Sequence, residues 1–251
     1  MKGIEKKVSI KFYGGLQDFF KNKSSSKIEH KFLDSRSIKD LIESYNVPHT
    51  EVDVILVNNK SVDFSYLIKD GDSIKVYPPG YLSERTDVKR LYKQVRGEPK
   101  FICDVHLGTL ARNLRKFGLD VRYDNSFSDE TIAEISVKEK RIILTRDIGL
   151  LKRKEVRYGY FVRSEITDDQ AKEILENFKL VKYIKPFTRC LDCGNKIKRI
   201  SRKIVKTKLP DHTFEEGMIF FYCSNCDKIY WEGSHVLRMW EGLKFLLKSL
   251  S

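Results

Sequence analysis

Two pairs of thiols constrain this chain more than any other feature. Cys190-x-x-Cys193 lies in RCLDCGNKI and Cys223-x-x-Cys226 in FYCSNCDKIYWEGSHVLRM, with residues 194 to 222 between them. Each pair can turn two thiolates toward one ion, and two such turns close the Cys₄ tetrahedron of a zinc ribbon. Four protein ligands leave no open coordination position, so a zinc ion held this way is structural rather than catalytic. An iron centre or a redox dithiol is the alternative for the same spacing. Of the five cysteines, four fall in these pairs, which suits a metal site in a reducing compartment better than a disulfide framework. Cys103, in KFICD, is expected to pack as a small apolar residue of a strand.

At 251 residues the chain has room for two or three compact units, and its 41% hydrophobic content supports packed cores. Over residues 1–80, Val8, Ile10 and Phe12 alternate, as do Ile28, His30 and Phe32, which predicts two half-buried strands joined around KNKSSSK. Ser37 caps a predicted helix carrying Ile38, Leu41, Ile42 and Tyr45, and VDVILVNNK and DSIKVYPP return to strand around the Asp70-Gly71-Asp72 turn. The order β-β-α-β-β predicts a β-grasp domain. It resembles ubiquitin-like sulfur carriers in VILVNNKSV and IKDGDSIKVYPP. Such carriers act through a free carboxyl-terminal Gly-Gly, whereas this chain runs past Pro79-Gly80, so a docking or spacer role is expected, with its protein partner unknown.

Residues 81–99 are polar and charged, with Gly97 and Pro99 near their end, and read as a linker containing a short helix. Residues 100–186 then alternate strand and helix through KFICD, HLGTLARNLRKFG, LDVRYD, SDETIAEISVKEK, RIILT, YGYFVR and DDQAKEILENF. This predicts a three-layer α/β domain with a mainly parallel sheet. Residues 187–251 form a third unit around the thiols, which makes the chain α/β and α+β multidomain. The stretch from Met1 to Lys7 leads into a strand rather than resembling a signal peptide, and no apolar run approaches the roughly 20 residues that cross a bilayer. A cytoplasmic protein without a membrane partner is the expectation.

Ligands of an open parallel sheet collect beyond the carboxyl ends of its strands. Asp104 and Asp147 occupy such ends, and Asp129 opens a helix that follows a strand, with Asp124 and Glu130 as alternatives. Three carboxylates at one rim repel one another unless a cation neutralises them, and an all-oxygen set favours Mg²⁺ or Mn²⁺ over zinc. Such an ion can activate water and stabilise the charge that builds on a phosphodiester during in-line displacement. An Asp after a strand is also a common turn former or helix cap. The net charge of +13 points to a polyanion, nucleic acid before membrane, although a solvated lysine-rich surface has the same charge. Arg112 and Arg115, on the helix that begins beside Asp104, and Arg146 beside Asp147 would form a cationic border for phosphates. Salt bridges with the aspartates are the alternative for Arg146. Between the thiol pairs, Lys196, Lys198, Arg199, Arg202, Lys203, Lys206 and Lys208 form a run without an acidic residue, expected to point along one face of a ribbon strand.

FICDVHLGTLARNLRKFGLDVRYD, SDETIAEISVKEKRIILTRD, RCLDCGNKI and FYCSNCDKIYWEGSHVLRM, in this order, resemble the Mut-seven C-terminal RNase family. The likeness covers nearly the whole chain. It is carried by Asp104 with Leu107-Gly108 and Leu110-Ala111-Arg112, by Thr145-Arg146-Asp147, and by Tyr230-Trp231 with Gly233-Ser234-His235. The resemblance implies a PIN-like nuclease domain joined to a zinc ribbon, behind a ubiquitin-like domain. It further implies a metal-dependent RNase whose acidic cluster is Asp104, Asp129 and Asp147. His106 and Asn113 depart from the pattern, standing where larger apolar residues are expected. RNA is then the expected partner, tRNA being one candidate, with Arg112, Arg115, Lys198, Arg199, Arg202 and His235 as the residues that hold it. His235 would be a fifth ligand at a full zinc site, so RNA contact or packing on Trp231 is expected of it instead. A non-catalytic RNA or ribonucleoprotein binding module is the alternative function.

Overall fold

A computed structural model describes residues 5–20, 27–95, 97–207 and 218–231. The amino-terminal elements are β1 (Lys6–Phe12), β2 (Ile28–Phe32), α1 (Ile38–Ser44), β3 (Val54–Val57), β4 (Lys60–Val62) and β5 (Ser73–Tyr77). An alternating series follows: β6 (Lys100–Cys103), α2 (Gly108–Lys116), β7 (Asp120–Arg122), α3 (Asp129–Glu139), β8 (Ile142–Thr145), α4 (Ile148–Lys152), β9 (Gly159–Phe161) and α5 (Thr167–Asn177). The last described elements are β10 (Lys198–Ile200), α6 (Arg202–Lys206), β11 (Phe220–Cys223) and β12 (Lys228–Trp231). They divide into two compact units, one of residues up to 96 with 129–163, the other of 97–128 with the remainder.

The first unit opens with the expected β-grasp sheet, in the order β2-β1-β5-β3-β4, with β1 and β5 parallel at its centre. Strand periodicity puts Val8, Ile10 and Phe12 on one face, and register sets Ile10 beside Ile74 and Phe12 beside Val76. Ile38, Leu41 and Ile42 of α1 close this core. Ser37 caps α1 by accepting the Asp40 N–H at 3.1 Å, as its position predicts. β4 adds a hairpin to the predicted order, turned by Asn58 and Asn59 at φ 49° and 66°, a conformation asparagine tolerates.

The polar stretch after Gly80 differs from the expected linker with a helix. Its described residues carry no helix. Leu82 and Val88 cover Val54, Leu56 and Tyr77 on the second face of the sheet. Arg90 donates to Asp53 at 2.6 Å, and the Leu91 N–H to the Asp53 carbonyl at 2.7 Å. The reason lies in β3, whose four residues are all buried: a strand apolar on both faces needs a cover on each.

The same unit contains α3, β8, α4 and β9, with β8 and β9 parallel. A short turn, His49–Glu51, ties them to the β-grasp fold. Glu51 is 5% exposed and accepts from the Phe161 N–H at 2.7 Å and from Arg163 at 2.8 Å, while His49 Nε2 lies 2.8 Å from the Val156 carbonyl oxygen. Glu51 thereby supplies an acceptor for a part-buried backbone donor of β9.

In the second unit β6 and β7 are parallel, α2 packs on both and on α5, and β10, β11 and β12 form an antiparallel ribbon. Just past the end of helix α2 lies Gly118, at φ 83°, where a Cβ would stand 2.0 Å from the Lys185 carbonyl oxygen. Replacing Glu51 with alanine removes the acceptor of the Phe161 N–H and one carboxylate of Arg163, which keeps Asp18 at 3.2 Å, and should cost about 1–3 kcal/mol of stability in urea unfolding. Glu51→Gln, which keeps an acceptor for the N–H, should lose less.

Candidate active site and metal centre

Asp104 follows the last residue of β6 and is 4% exposed. Its extended backbone, φ −60° and ψ 154°, starts the turn Val105–Leu107, and its carbonyl accepts the Leu107 N–H at 2.9 Å. The Tyr123 hydroxyl donates to the Val105 carbonyl at 3.1 Å and so holds this turn from β7's side. That contact explains Gly108: a Cβ there would stand 2.6 Å from the Tyr123 oxygen. Cys103 is fully buried, and its burial pushes the thiol up to about 12, the Asp104 charge acting in the same direction. It is an inert packing residue, as its setting in β6 predicts.

Asp147 is exposed at the amino end of α4, where Oδ1 accepts the Gly149 N–H at 2.6 Å, and its own N–H donates to Thr145 Oγ1 at 2.8 Å. Arg146 donates to the carbonyls of Val162 and Arg163 at 3.2 and 2.8 Å, which commits it to the chain that leaves β9. Asp129 is the first residue of α3 and half-buried. Of its neighbours, Asp124 accepts from the Ser126 N–H and hydroxyl at 2.9 and 2.6 Å, and Glu130 pairs with Arg153 at 2.8 Å.

The thiols meet in the second unit. Cys190 Sγ lies 3.4 Å from Cys226 Sγ and Cys193 Sγ 3.4 Å from Cys223 Sγ, with all four sulfurs within 4.8 Å of one another. Zinc–sulfur bonds of roughly 2.3 Å place tetrahedral thiolates roughly 3.8 Å apart, so the donor set fits zinc. Residues with positive φ follow each pair, Gly194 at 75° and Asp227 at 56°, and turn the chain tightly around the sulfurs. Burial acts to raise the Cys190 pKa, but the Cys193 N–H and the Tyr230 hydroxyl, 3.5 and 3.0 Å from its sulfur, help to bring it down to about 6.

The expected cationic border divides. Arg112 is exposed, with Nη1 3.3 Å from Asp192. Arg115 is 2% exposed and donates to the carbonyls of Val121, Leu191 and Asp192, so it is not available to a phosphate. The helical period carried the warning: position 115 falls one turn after Ala111 and beside Leu114, on the buried face of α2. Lys198 and Arg199 are exposed on β10, where successive residues point to opposite faces, and Arg202, Lys203 and Lys206 belong to α6. The run therefore does not line one face of a strand. His235 and Lys208 lie outside the described residues. His106 is exposed, and Asn113 accepts from Lys116 at 2.8 Å. Sequence reasoning missed Tyr123, for which the only signal was an aromatic residue just after a strand.

Gly108→Ala should cost about 1–3 kcal/mol in thermal or urea unfolding, because the methyl group overlaps the Tyr123 ring and hydroxyl. Tyr123→Ala in the same chain should recover part of that loss, which a double-mutant cycle would read.

No helix among the described residues is long and apolar enough to cross a membrane. No curated protein matches the chain. The Mut7-C ubiquitin model matches residues 5–82, and the Mut7-C RNAse domain model matches residues 99–243, more than half of the chain. With a β-grasp sheet in front, parallel strand pairs ending at Asp104 and near Asp147, and four converging thiols behind, the chain belongs to the Mut7-C RNAse domain family.

Proposed function

We propose that this chain is a Mg²⁺- or Mn²⁺-dependent ribonuclease that hydrolyses RNA phosphodiester bonds through Asp104, Asp129 and Asp147. The observation that carries this reading is Asp104, a carboxylate 4% exposed beyond the carboxyl end of a parallel strand, where ligands of such sheets bind. A bound divalent cation supplies charge neutralisation and an acidified water. Asp104 and Asp147 would hold the cation, and Asp129 would complete its shell or orient the attacking water. Arg112, Lys198, Arg199 and Arg202 neutralise phosphates of the bound strand, and His235 is assigned to the same role. Cys190, Cys193, Cys223 and Cys226 hold a structural zinc that fixes the ribbon. The enzyme is assigned to the cytoplasm, with tRNA as one candidate substrate.

Asp147→Asn is the sharpest test, since asparagine still caps α4 by accepting the Gly149 N–H while losing the charge a cation needs. Cleavage of end-labelled tRNA and single-stranded RNA with Mn²⁺ or Mg²⁺ should fall by at least about 100-fold, with unfolding and RNA binding preserved. Unchanged cleavage by this variant would overturn the assignment, and RNA binding by a wild-type chain that never cleaves would leave a binding module. Metal analysis of the purified chain should give about one zinc per molecule, lost in Cys193→Ser.

A further inference from the structure

Arg115 is an odd place for a charge. Most cations of a protein with a net charge of +13 can stay in water, yet this guanidinium is 2% exposed. Nε donates to the Val121 carbonyl at 3.0 Å, and Nη1 to the Leu191 and Asp192 carbonyls at 3.2 and 2.6 Å. Leu191 and Asp192 are the two residues inside the first Cys-x-x-Cys turn, so a side chain of α2 grips that turn by both inner carbonyls. Nη2 is buried and has no hydrogen-bond partner among the described residues. Gly194 makes the space: a Cβ there would stand 2.9 Å from Arg115 Nε and 2.7 Å from the Val121 carbonyl oxygen.

A buried charge costs several kcal/mol unless an opposite charge stands close. Carbonyl dipoles answer only part of that cost. Burial acts first on Arg115 and lowers its pKa, and negative charge on Cys103, Cys193, Cys190 or Asp192 acts against that burial. Cys103 stays protonated, which leaves the two thiols of the first knuckle and Asp192. Four thiolates around one Zn²⁺ carry a net charge of about −2, and a guanidinium beside them is the complementary charge.

We infer that Arg115 is the outer counter-cation of the four-thiolate centre and positions the first knuckle to receive zinc. The inference rests on the four cysteines being zinc ligands. It also gives the centre a role beyond the ribbon. Helix α2 starts at Gly108, just past the turn that follows Asp104, so the side chain that answers the thiolates lies on the same helix that packs against β6.

The test is a chelator competition on the full-length, zinc-loaded chain, comparing wild type with Arg115→Lys and Arg115→Met. Loss of an outer-shell partner should weaken zinc binding about 10- to 100-fold in Arg115→Met. Arg115→Lys, which keeps the charge but not the planar fork, should fall between. Cobalt substitution should show the same thiolate charge-transfer band in all three, as expected when the four sulfurs are kept and only affinity changes. Zinc held by Arg115→Met as tightly as by wild type would overturn the inference, whatever the change in melting temperature. If Arg115→Met does not fold, unaltered affinity in Arg115→Lys would count against it in the same way. A wild-type chain that takes up neither zinc nor cobalt would instead overturn the zinc reading itself.

Discussion

Convergence of four sulfurs within 4.8 Å of one another is the constraint on which the second unit depends. So small a ribbon has little apolar core, and units of this size usually need a metal or a covalent staple. The described ribbon contributes Phe220 and Val205 as buried apolar residues besides its cysteines. The other attachments are polar: Arg115 to the knuckle carbonyls, Arg189 to Asp120 at 3.0 Å, and Lys228 and Arg112 to Asp192. Each of these runs between the knuckle region and either α2, β7 or β12, so the ligand turn is supported from several sides.

The first unit solves a different problem. A ubiquitin-like sheet that served as a carrier would end in a free tail. Here the chain after Gly80 returns over the open face of the sheet, and Glu51 meets the N–H of a neighbouring strand. The fold is thus used as a fixed part of a larger unit, and the stretches that resemble carriers lead into further chain rather than a free tail. A buried carboxylate that meets both a strand donor and Arg163 gives direction to this packing, which apolar contact alone does not.

Asp104 and Asp147 show how a candidate catalytic carboxylate and a turn-forming one can be the same residue. Asp147 caps α4 with its side chain, a role that by itself accounts for aspartate there, whereas Asp104 begins its turn through its backbone carbonyl and makes no cap hydrogen bond with its carboxylate. Solvent separates them as well: Asp104 is buried and Asp147 exposed. A turn former has no need of burial, since its partners are local backbone groups. Burial of a carboxylate at a strand end is therefore the more informative of the two observations.

Periodicity and spacing act within a few residues, and what depends on them was legible in the chain by itself. The alternation of Val8, Ile10 and Phe12, the Ser37 cap and the paired thiols all belong here. Tertiary structure decided what depends on distant partners. Helical period puts Arg115 on the buried face of α2, but the carbonyls of the thiol turn that receive it come from residues more than seventy positions away. Glu51 reads as one acid among many until Phe161 and Arg163 arrive. The strap after Gly80 reads as a linker because its polar composition hides Leu82 and Val88, which have a use only once β3 is apolar on both faces. The physical reason is common to all three: a buried polar group or a covered face is defined by what approaches it, and local sequence carries no record of the approach.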